Sequence, residues 1–217
     1  MLTEVAREQM VEQQVRAWDV LDERILETLR AVPRERFVPE RFRELSFADT
    51  EIPLPCGKRM LRPMLVGKIL QSLSLNGGEQ VLEIGTGSGY MSACLGRLGA
   101  QVRTLELHPE LAALARANLA GLTAVAPIEV IEADAMRLGE SPRYDAIVLT
   151  ASLPIYQPRF ERALKPGGRL FVVVGSGTPQ RACLMRSAED GACSSEPLFE
   201  TRIEALEGAP RPEAFGF

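Results

Sequence analysis

Three glycines at alternate positions follow an apolar run in the middle of the chain. Residues 81–90 read VLEIGTGSGY and place glycine at 85, 87 and 89. Glycines after a strand let the backbone turn tightly and approach a ligand, and the N–H groups of the next helix can face that ligand. The dinucleotide pattern G-x-G-x-x-G requires glycine at 90, where this chain has tyrosine. The spacing favours S-adenosyl-L-methionine over a pyrophosphate-bearing cofactor; the alternative is a bare strand-to-helix turn.

Two carboxylates fit the same ligand. Glu106 follows Gly85 by about 20 residues, the offset at which a carboxylate meets ribose hydroxyls in such folds. Asp134 follows the next predicted strand, where it could accept from the adenine amino group. The alternatives are a solvated strand-end charge at Glu106 and a turn or N-cap role for Asp134. The predicted cofactor-binding residues are Glu83, Gly85, Thr86, Gly87, Ser88, Gly89, Glu106, Leu107, Asp134 and Ala135.

Composition excludes several other classes. The chain has 25 basic and 29 acidic residues, a net charge of −4, which argues against an electrostatic nucleic-acid binder. Its four cysteines form no C-x-x-C pair and it has one histidine, so we expect neither a zinc site nor a cysteine–histidine catalytic pair. The N-terminal residues do not resemble a signal peptide, and no apolar run approaches the length of a membrane span. We expect a cytoplasmic protein without a metal, a membrane anchor or a nucleic-acid partner.

The elements that must position these residues alternate between strands and helices. Strands that carry Val, Ile and Leu with little alternation are typical of a parallel sheet covered on both faces. With helices between them, they predict βαβ units and a doubly wound α/β fold. Two later apolar runs, 181–187 and 198–206, predict an antiparallel pair at the sheet edge. The predicted strands are 80–84, 102–107, 128–132, 144–150 and 169–174, and the predicted helices between them are 90–98, 109–120 and 154–164.

The first third of the chain predicts helices and loops. Val11, Val15 and Trp18 fall on one face at helical spacing. Asp22 is placed to cap a second helix, and Pro63 fits the first turn of a third. The last residues contain phenylalanine at 215 and 217, which suggests a docked tail; the alternative is an exposed tail.

Four segments carry a family resemblance. They are MVEQQ at 10–14, VPRERFVP at 32–39, the glycine run at 82–90 and LKPGGRL at 164–170. With these motifs in this order, the chain resembles the protein-L-isoaspartate (D-aspartate) O-methyltransferases, within the Rossmann-like S-adenosyl-L-methionine-dependent methyltransferases. The resemblance implies a mostly parallel seven-stranded sheet with an N-terminal helical extension. We therefore expect a single domain over 1–217, with the extension at 1–76 and the methyltransferase core at 77–217.

The resemblance also implies a reaction in protein repair. Such enzymes methylate the free α-carboxylate of isoaspartyl residues in damaged proteins and release S-adenosyl-L-homocysteine. A carboxylate is already ionised at neutral pH, so the enzyme has to align the reacting atoms and exclude water rather than supply a strong base. The implied partner is a protein or peptide acceptor, and we expect a monomer or a weak dimer.

One segment departs from the family pattern. The family carries a Gln-Thr-Ile-Ser-Gln-Pro-like stretch, whereas residues 58–63 here read KRMLRP. Arg59 replaces the threonine and Leu61 the serine, and a leucine side chain can neither donate nor accept a hydrogen bond. We place Arg59 and Leu61 at the acceptor side of the catalytic site. Either Arg59 or Arg62 binds a carboxylate through its guanidinium, or the chain is a paralogue with another acceptor, or the segment is a solvated basic loop.

Two further functions stay open at this point. A non-catalytic protein could keep the cofactor fold as a ligand sensor or scaffold. An NAD-linked oxidoreductase is disfavoured by Tyr90, which interrupts the dinucleotide pattern.

Overall fold

The computed structural model describes residues 2–188 and 192–212. The predicted tail at 215 and 217 lies outside these residues. The described helices are α1 Leu2–Met10, α2 Glu23–Ala31, α3 Pro63–Leu73, α4 Tyr90–Arg97, α5 Pro109–Leu119 and α6 Pro158–Arg162. The described strands are β1 Ile52–Pro53, β2 Arg59–Met60, β3 Gln80–Ile84, β4 Gln101–Glu106, β5 Ile128–Glu132, β6 Tyr144–Leu153, β7 Leu164–Val174, β8 Gln180–Ser187 and β9 Cys193–Thr201.

Seven of the described strands form one sheet in the order β5-β4-β3-β6-β7-β8-β9. Strands β3 to β7 are mutually parallel, whereas β8 and β9 are added antiparallel at one edge. The α/β class, the mostly parallel seven-stranded sheet, the N-terminal helical extension and the antiparallel edge pair are confirmed. The strands β1 and β2 form a separate small ladder that pairs Ile52 with Met60.

Helix ends follow the local signals. The Asp22 side chain accepts a hydrogen bond from the Arg24 backbone N–H and caps α2. Pro63 is the first residue of α3. Trp18 differs from its predicted place on the inner face, since its side chain is 56% exposed while Val11 and Val15 are fully buried. The reason is a change of pitch: a π-helical turn over Val11–Val15 and a 3₁₀ turn over Arg16–Trp18 rotate Trp18 off that face.

Two predicted elements have other bounds in the structure. The helix predicted over 154–164 is α6, Pro158–Arg162, because β6 extends to Leu153 and β7 already begins at Leu164. The strand predicted over 198–206 is β9, Cys193–Thr201, because pairing with β8 begins at Cys193. The first half of β9 is polar and exposed, so hydrophobic patterning does not reveal it.

A largely buried ion pair, between Arg169 and Glu79, fixes the edge of the sheet at which the parallel strands begin. The Arg169 guanidinium donates to both Glu79 oxygens at 2.7 and 2.9 Å and to the backbone oxygens of Leu73 and Ser74. Burial by itself would raise the pKa of Glu79, but the hydrogen bonds from Arg169 lower it overall. Arg169 thereby joins the end of α3 to the start of β3.

Within residues 2–188 and 192–212, no helix is both long and apolar enough to cross a membrane.

Candidate functional site

A cleft opens at the carboxyl ends of β3, β4 and β6. Because β3 lies between β4 and β6, the order in which strands are added reverses there. In doubly wound sheets, ligands bind outside the strand ends at such a reversal. We call this space the main cleft. Seven of the predicted site residues line it: Arg59, Gly85, Gly87, Glu106, Leu107, Asp134 and Ala135.

The glycine loop, residues 85–89, turns the chain from β3 into α4. Gly85 has a φ of +92°, and a Cβ at this position would lie 2.5 Å from Thr150 Oγ1. The Thr150 hydroxyl lies 2.6 Å from the Gly85 carbonyl oxygen, to which it donates. Gly89 has a φ of +87°, and a Cβ there would press on Leu119 in α5. Gly85 therefore lets the backbone border the cleft, whereas Gly89 lets α4 and α5 pack closely.

Glu106 is held by two backbone N–H groups at the end of β4. Its carboxylate accepts from Gly87 N at 2.9 Å and from His108 N at 3.1 Å, and its side chain is buried. These bonds tie the glycine loop to the neighbouring strand. A carboxylate fixed in this way borders the main cleft as an acceptor for ligand hydroxyls.

The third strand end supplies Asp134 and Ala135. Asp134 Oδ1 accepts from Met136 N at 2.9 Å, so the N-cap role that the sequence left open is present, and Asp134 also borders the cleft. Leu107, Leu111 and Ala135 give this end of the cleft apolar walls. The arrangement suits a flat aromatic base with a polar edge.

A smaller inner cavity adjoins the main cleft beside Gly85 and Gly87. Seven predicted residues line it: Arg59, Leu61, Glu83, Gly85, Thr86, Gly87 and Ser88. Glu83 is fully buried, Ser92 donates to its Oε2, and among the described residues its Oε1 has no hydrogen-bond partner. Burial raises the pKa of Glu83 to about 8, against the lowering effect of the Ser92 and Thr104 hydroxyls.

The segment 58–62 covers the glycine loop from the other side. Arg59 is exposed and borders both cavities, with its Nε 3.9 Å from Glu51 Oε2. Leu61 is half-buried in the inner cavity, whereas Arg62 borders neither space. The structure therefore brings Arg59, and not Arg62, to the site.

A buried arginine holds this segment by its backbone. Arg34, in the VPRERFVP motif, is fully buried and donates to the Leu61 oxygen at 2.7 Å and to the Ser46 oxygen at 2.9 Å. Its guanidinium lies 4.9 Å from the centre of the Tyr90 ring, at the start of α4. Arg34 thus links the segment 58–62 to α4, the helix that follows the glycine loop.

Sequence reasoning missed several residues of the main cleft. Thr150 stands at the carboxyl side of a predicted strand, a position that the general rule for ligand sites could have flagged. Residues 204–207 come from the segment after β9 and carry no local signal. Of the ten predicted cofactor-binding residues, nine border one of the two cavities and Gly89 borders neither.

The donor set fits S-adenosyl-L-methionine. The ligand has a flat aromatic base, a ribose diol and a charged amino-acid end. Leu107 and Ala135 offer apolar walls to the base, the Glu106 carboxylate offers an acceptor to the diol, and the backbone of Gly85 and Gly87 offers polar groups to the amino-acid end.

Comparison with known proteins gives a match over most of the chain. The family model of the protein-L-isoaspartate(D-aspartate) O-methyltransferases matches residues 5–207. The chain belongs to this family. A protein-L-isoaspartate O-methyltransferase from Koribacter versatilis is 38% identical over 203 residues, covering 93% of this chain and 90% of the relative. One from Methanoculleus marisnigri is 42% identical over 172 residues, covering 78% and 77%.

The fold is shared with solved protein-L-isoaspartate O-methyltransferases. A crystal structure assigned to this enzyme class in Plasmodium falciparum, in complex with S-adenosyl-L-homocysteine, has a TM-score of 0.79 at 17% identity and covers 93% of this chain and 98% of its own. At this identity the likeness concerns the fold. Membership in the isoaspartate O-methyltransferase family confirms the predictions of a methyltransferase and of S-adenosyl-L-methionine as its methyl donor.

Proposed function

We propose that this protein transfers the methyl group of S-adenosyl-L-methionine to the free carboxylate of isoaspartyl residues in proteins or peptides. The supporting observation is the position of Arg59, which borders both cavities beside the glycine loop in a chain whose family match spans 5–207. A cation at this junction gives a carboxylate a place next to the cofactor.

Each predicted cofactor-binding residue has a role in the proposed complex. Glu106 binds the ribose hydroxyls, and Leu107, Asp134 and Ala135 surround the adenine. The backbone at Gly85 and Gly87 faces the methionine end. When bound, S-adenosyl-L-methionine supplies a methyl group on a sulfonium sulfur. The remaining predicted residues support the loop from within: Glu83, Thr86, Ser88 and Gly89.

The acceptor half requires orientation rather than proton transfer. The acceptor carboxylate is ionised at neutral pH, so no residue has to remove a proton from it. Arg59 can hold such a group through two parallel N–H bonds, which fixes its direction as well as its position. Leu61 excludes water and offers no hydrogen bond where the family has a hydroxyl. The side chain at 61 then shapes the cavity while Arg59 supplies the attraction.

Arg59→Ala tests this assignment with a matched pair of peptides. One peptide carries isoaspartate and its twin carries normal aspartate, and both are incubated with S-adenosyl-L-methionine labelled in the methyl group. With the wild-type protein we expect label in the isoaspartyl peptide alone. Its rate should be about ten- to a hundredfold below that of relatives with the intact hydroxyl motif, because losing the hydroxyl's hydrogen bond costs about 1–3 kcal/mol.

Arg59→Ala should lower the remaining rate at least tenfold and leave the affinity for S-adenosyl-L-homocysteine unchanged. Arg59→Lys keeps the charge but loses the bidentate geometry, so its methylation rate should lie between those of the wild type and Arg59→Ala. A wild-type rate in Arg59→Ala would remove Arg59 from the acceptor site.

A methyltransferase with another acceptor is the second candidate. Leu61 favours it, since the family's hydroxyl contact cannot form at that position. Cofactor binding without label in either peptide would support this candidate or a non-catalytic scaffold, and label in any other acceptor would exclude the scaffold. We further propose a cytoplasmic monomer or weak dimer that acts on protein or peptide acceptors and does not bind nucleic acid.

A further inference from the structure

Residues 204–207, which come after β9, form one wall of the main cleft. We call them the strap. Their backbone is attached to β6, because Ser152 N donates to the Glu204 oxygen and Leu206 N donates to the Ser152 oxygen, both at 2.8 Å. Ala205 and Leu206 border the cleft directly. Ser152 thus anchors the strap by its backbone, Gln180 holds the preceding Ile203 N at 2.8 Å, and all four strap residues border the cofactor space.

A lysine on the opposite wall reaches the strap. Lys58 Nζ lies 2.8 Å from Glu207 Oε2 and 3.3 Å from Glu204 Oε1, and His108 Nε2 lies 3.0 Å from Glu207 Oε2. Burial by itself would lower the pKa of Lys58, but the contacts with Glu207 and Glu204 raise it overall. The pKa of Glu207 is lowered, chiefly by Lys58 and then by His108. Three parts of the chain that are distant in sequence thus meet at the mouth of the cleft.

We propose that Lys58 is a positioning residue that ties the strap across the cofactor cleft and slows the release of S-adenosyl-L-methionine and S-adenosyl-L-homocysteine. The proposal rests on the cofactor cleft assigned above. Lys58 belongs to the segment 58–62, where the family's stretch has glutamine, so the same segment that is proposed to face the acceptor also closes the cofactor space.

The charges explain why the tie needs a cation. Glu204 and Glu207 are both about half exposed and both face Lys58. Without Lys58, Glu204 and Glu207 would remain close together on the strap, with His108 beside Glu207. Their repulsion would favour open arrangements of the strap, and Lys58 and the strap border the same cleft, so an open strap would let a ligand leave more easily.

Dissociation rates of both ligands test the proposal. We expect Lys58→Gln to release each ligand about three- to tenfold faster, Lys58→Arg to restore most of the slow release, and Glu207→Gln to resemble Lys58→Gln. The double variant should release no faster than either single variant, since both remove the same contact. Arg162→Gln is the matched control, because Arg162 pairs with Glu140 at the same 2.8 Å outside the cleft, and it should change nothing.

The two ligands separate this role from a direct charge effect. S-adenosyl-L-methionine is a sulfonium cation and S-adenosyl-L-homocysteine is a neutral thioether, so a lysine that acted on ligand charge would change the two rates by different factors. Equal factors support the strap. Unequal factors, additive single variants or unchanged rates would overturn it.

A measurement on the ligand-free protein keeps the test independent of binding. Hydrogen exchange at the Leu206 amide should accelerate in Lys58→Gln and stay at the wild-type rate in Arg162→Gln. An unchanged Leu206 exchange rate would refute the tie itself. If wild-type protein failed to bind either ligand while exchange responded as expected, the cofactor assignment would be wrong and the tie would stand.

Discussion

Glu83 is a carboxyl group placed inside the protein, and its protonation should shape the pH dependence of stability. Its pKa is raised to about 8 by burial, against 4.5 for the unperturbed group. The folded state therefore holds a proton that the unfolded state gives up between these values. The contribution of Glu83 is fully present below pH 4.5 and is lost as the pH rises through 8.

Glu83→Gln should remove that part of the pH dependence. The amide is neutral at every pH, so the variant should melt several degrees above wild type at pH 8 and close to it at pH 5. Thermal melts followed by circular dichroism at the two pH values measure this. Glu129→Gln, which changes an exposed ion pair with Arg103 on the same sheet, serves as the control. Equal melting differences at pH 5 and pH 8 would contradict the assignment.

Glu106 should carry a measurable share of cofactor affinity. Glu106→Gln keeps the shape of the side chain and removes the charge that would accept from ribose hydroxyls. We expect the dissociation constant for S-adenosyl-L-homocysteine to rise about ten- to a hundredfold, the loss of roughly 1–3 kcal/mol expected for a hydrogen bond to a charged group. Titration calorimetry gives the value. Glu132→Gln, at the end of the next strand and outside both cavities, should bind like wild type.

The site residues that sequence could predict are those with a local signal. The spacing of the glycines and the offset from Gly85 to Glu106 predicted that the glycine loop and Glu106 lie at one site, and both border the main cleft. The contacts of Lys58 with residues 204–207 could not be predicted, because more than a hundred residues separate them and only the folded sheet brings them together. For the same reason the sequence left open whether Arg59 or Arg62 faces the site.

Among the elements, the junction of α3 with β3 and β7 depends on Arg169. Its side chain is 10% exposed and Glu79 is 18% exposed, so removing the arginine takes the donor from two carbonyl groups and leaves a largely buried carboxylate with one backbone donor, Asn76 N at 2.7 Å. Arg169→Met should lower the free energy of unfolding by about 3–5 kcal/mol.

Arg162→Met, which removes an exposed ion pair, should lower the free energy of unfolding by less than about 1 kcal/mol. Urea denaturation compares the two. A loss near 1 kcal/mol or below in Arg169→Met would show that the buried network contributes little.

Element boundaries show where patterning succeeds. The bounds of β3 and β5 agree with the predicted runs, since both are short apolar segments between clear turn signals. The start of β7 was missed because it passes through Pro166, Gly167 and Gly168, residues that normally end a strand. Gly168 is required there: a Cβ would lie 2.9 Å from the Lys165 oxygen and 3.1 Å from the Tyr144 oxygen. The path of the chain at the start of β7 is therefore determined by close backbone contacts, which a hydrophobic pattern does not reveal.

At the scale of the whole molecule, the N-terminal extension and the sheet share one hydrophobic core. Met10, Val15 and Leu26 of the extension belong to the same buried cluster as Phe171 and Leu184 of the sheet. This sharing supports the predicted single domain over 1–217.

We therefore expect one cooperative thermal transition, with calorimetric and van't Hoff enthalpies equal. S-adenosyl-L-homocysteine should raise the midpoint temperature of that single transition. Two resolved transitions, only one of them moved by the ligand, would show that residues 1–76 and 77–217 unfold separately.

Arg34 gives the segment 58–62, proposed above to face the acceptor, an unusual freedom to evolve. The arginine grips the carbonyl oxygen of Leu61, an atom that every amino acid possesses, so the segment keeps its place whichever side chains it carries. Threonine, serine and glutamine can be exchanged for arginine, leucine and lysine without loosening this attachment. Substrate preference can then drift by point mutation while the scaffold stays constant, and libraries randomised at 58, 59 and 61 offer a direct route to new carboxylate acceptors.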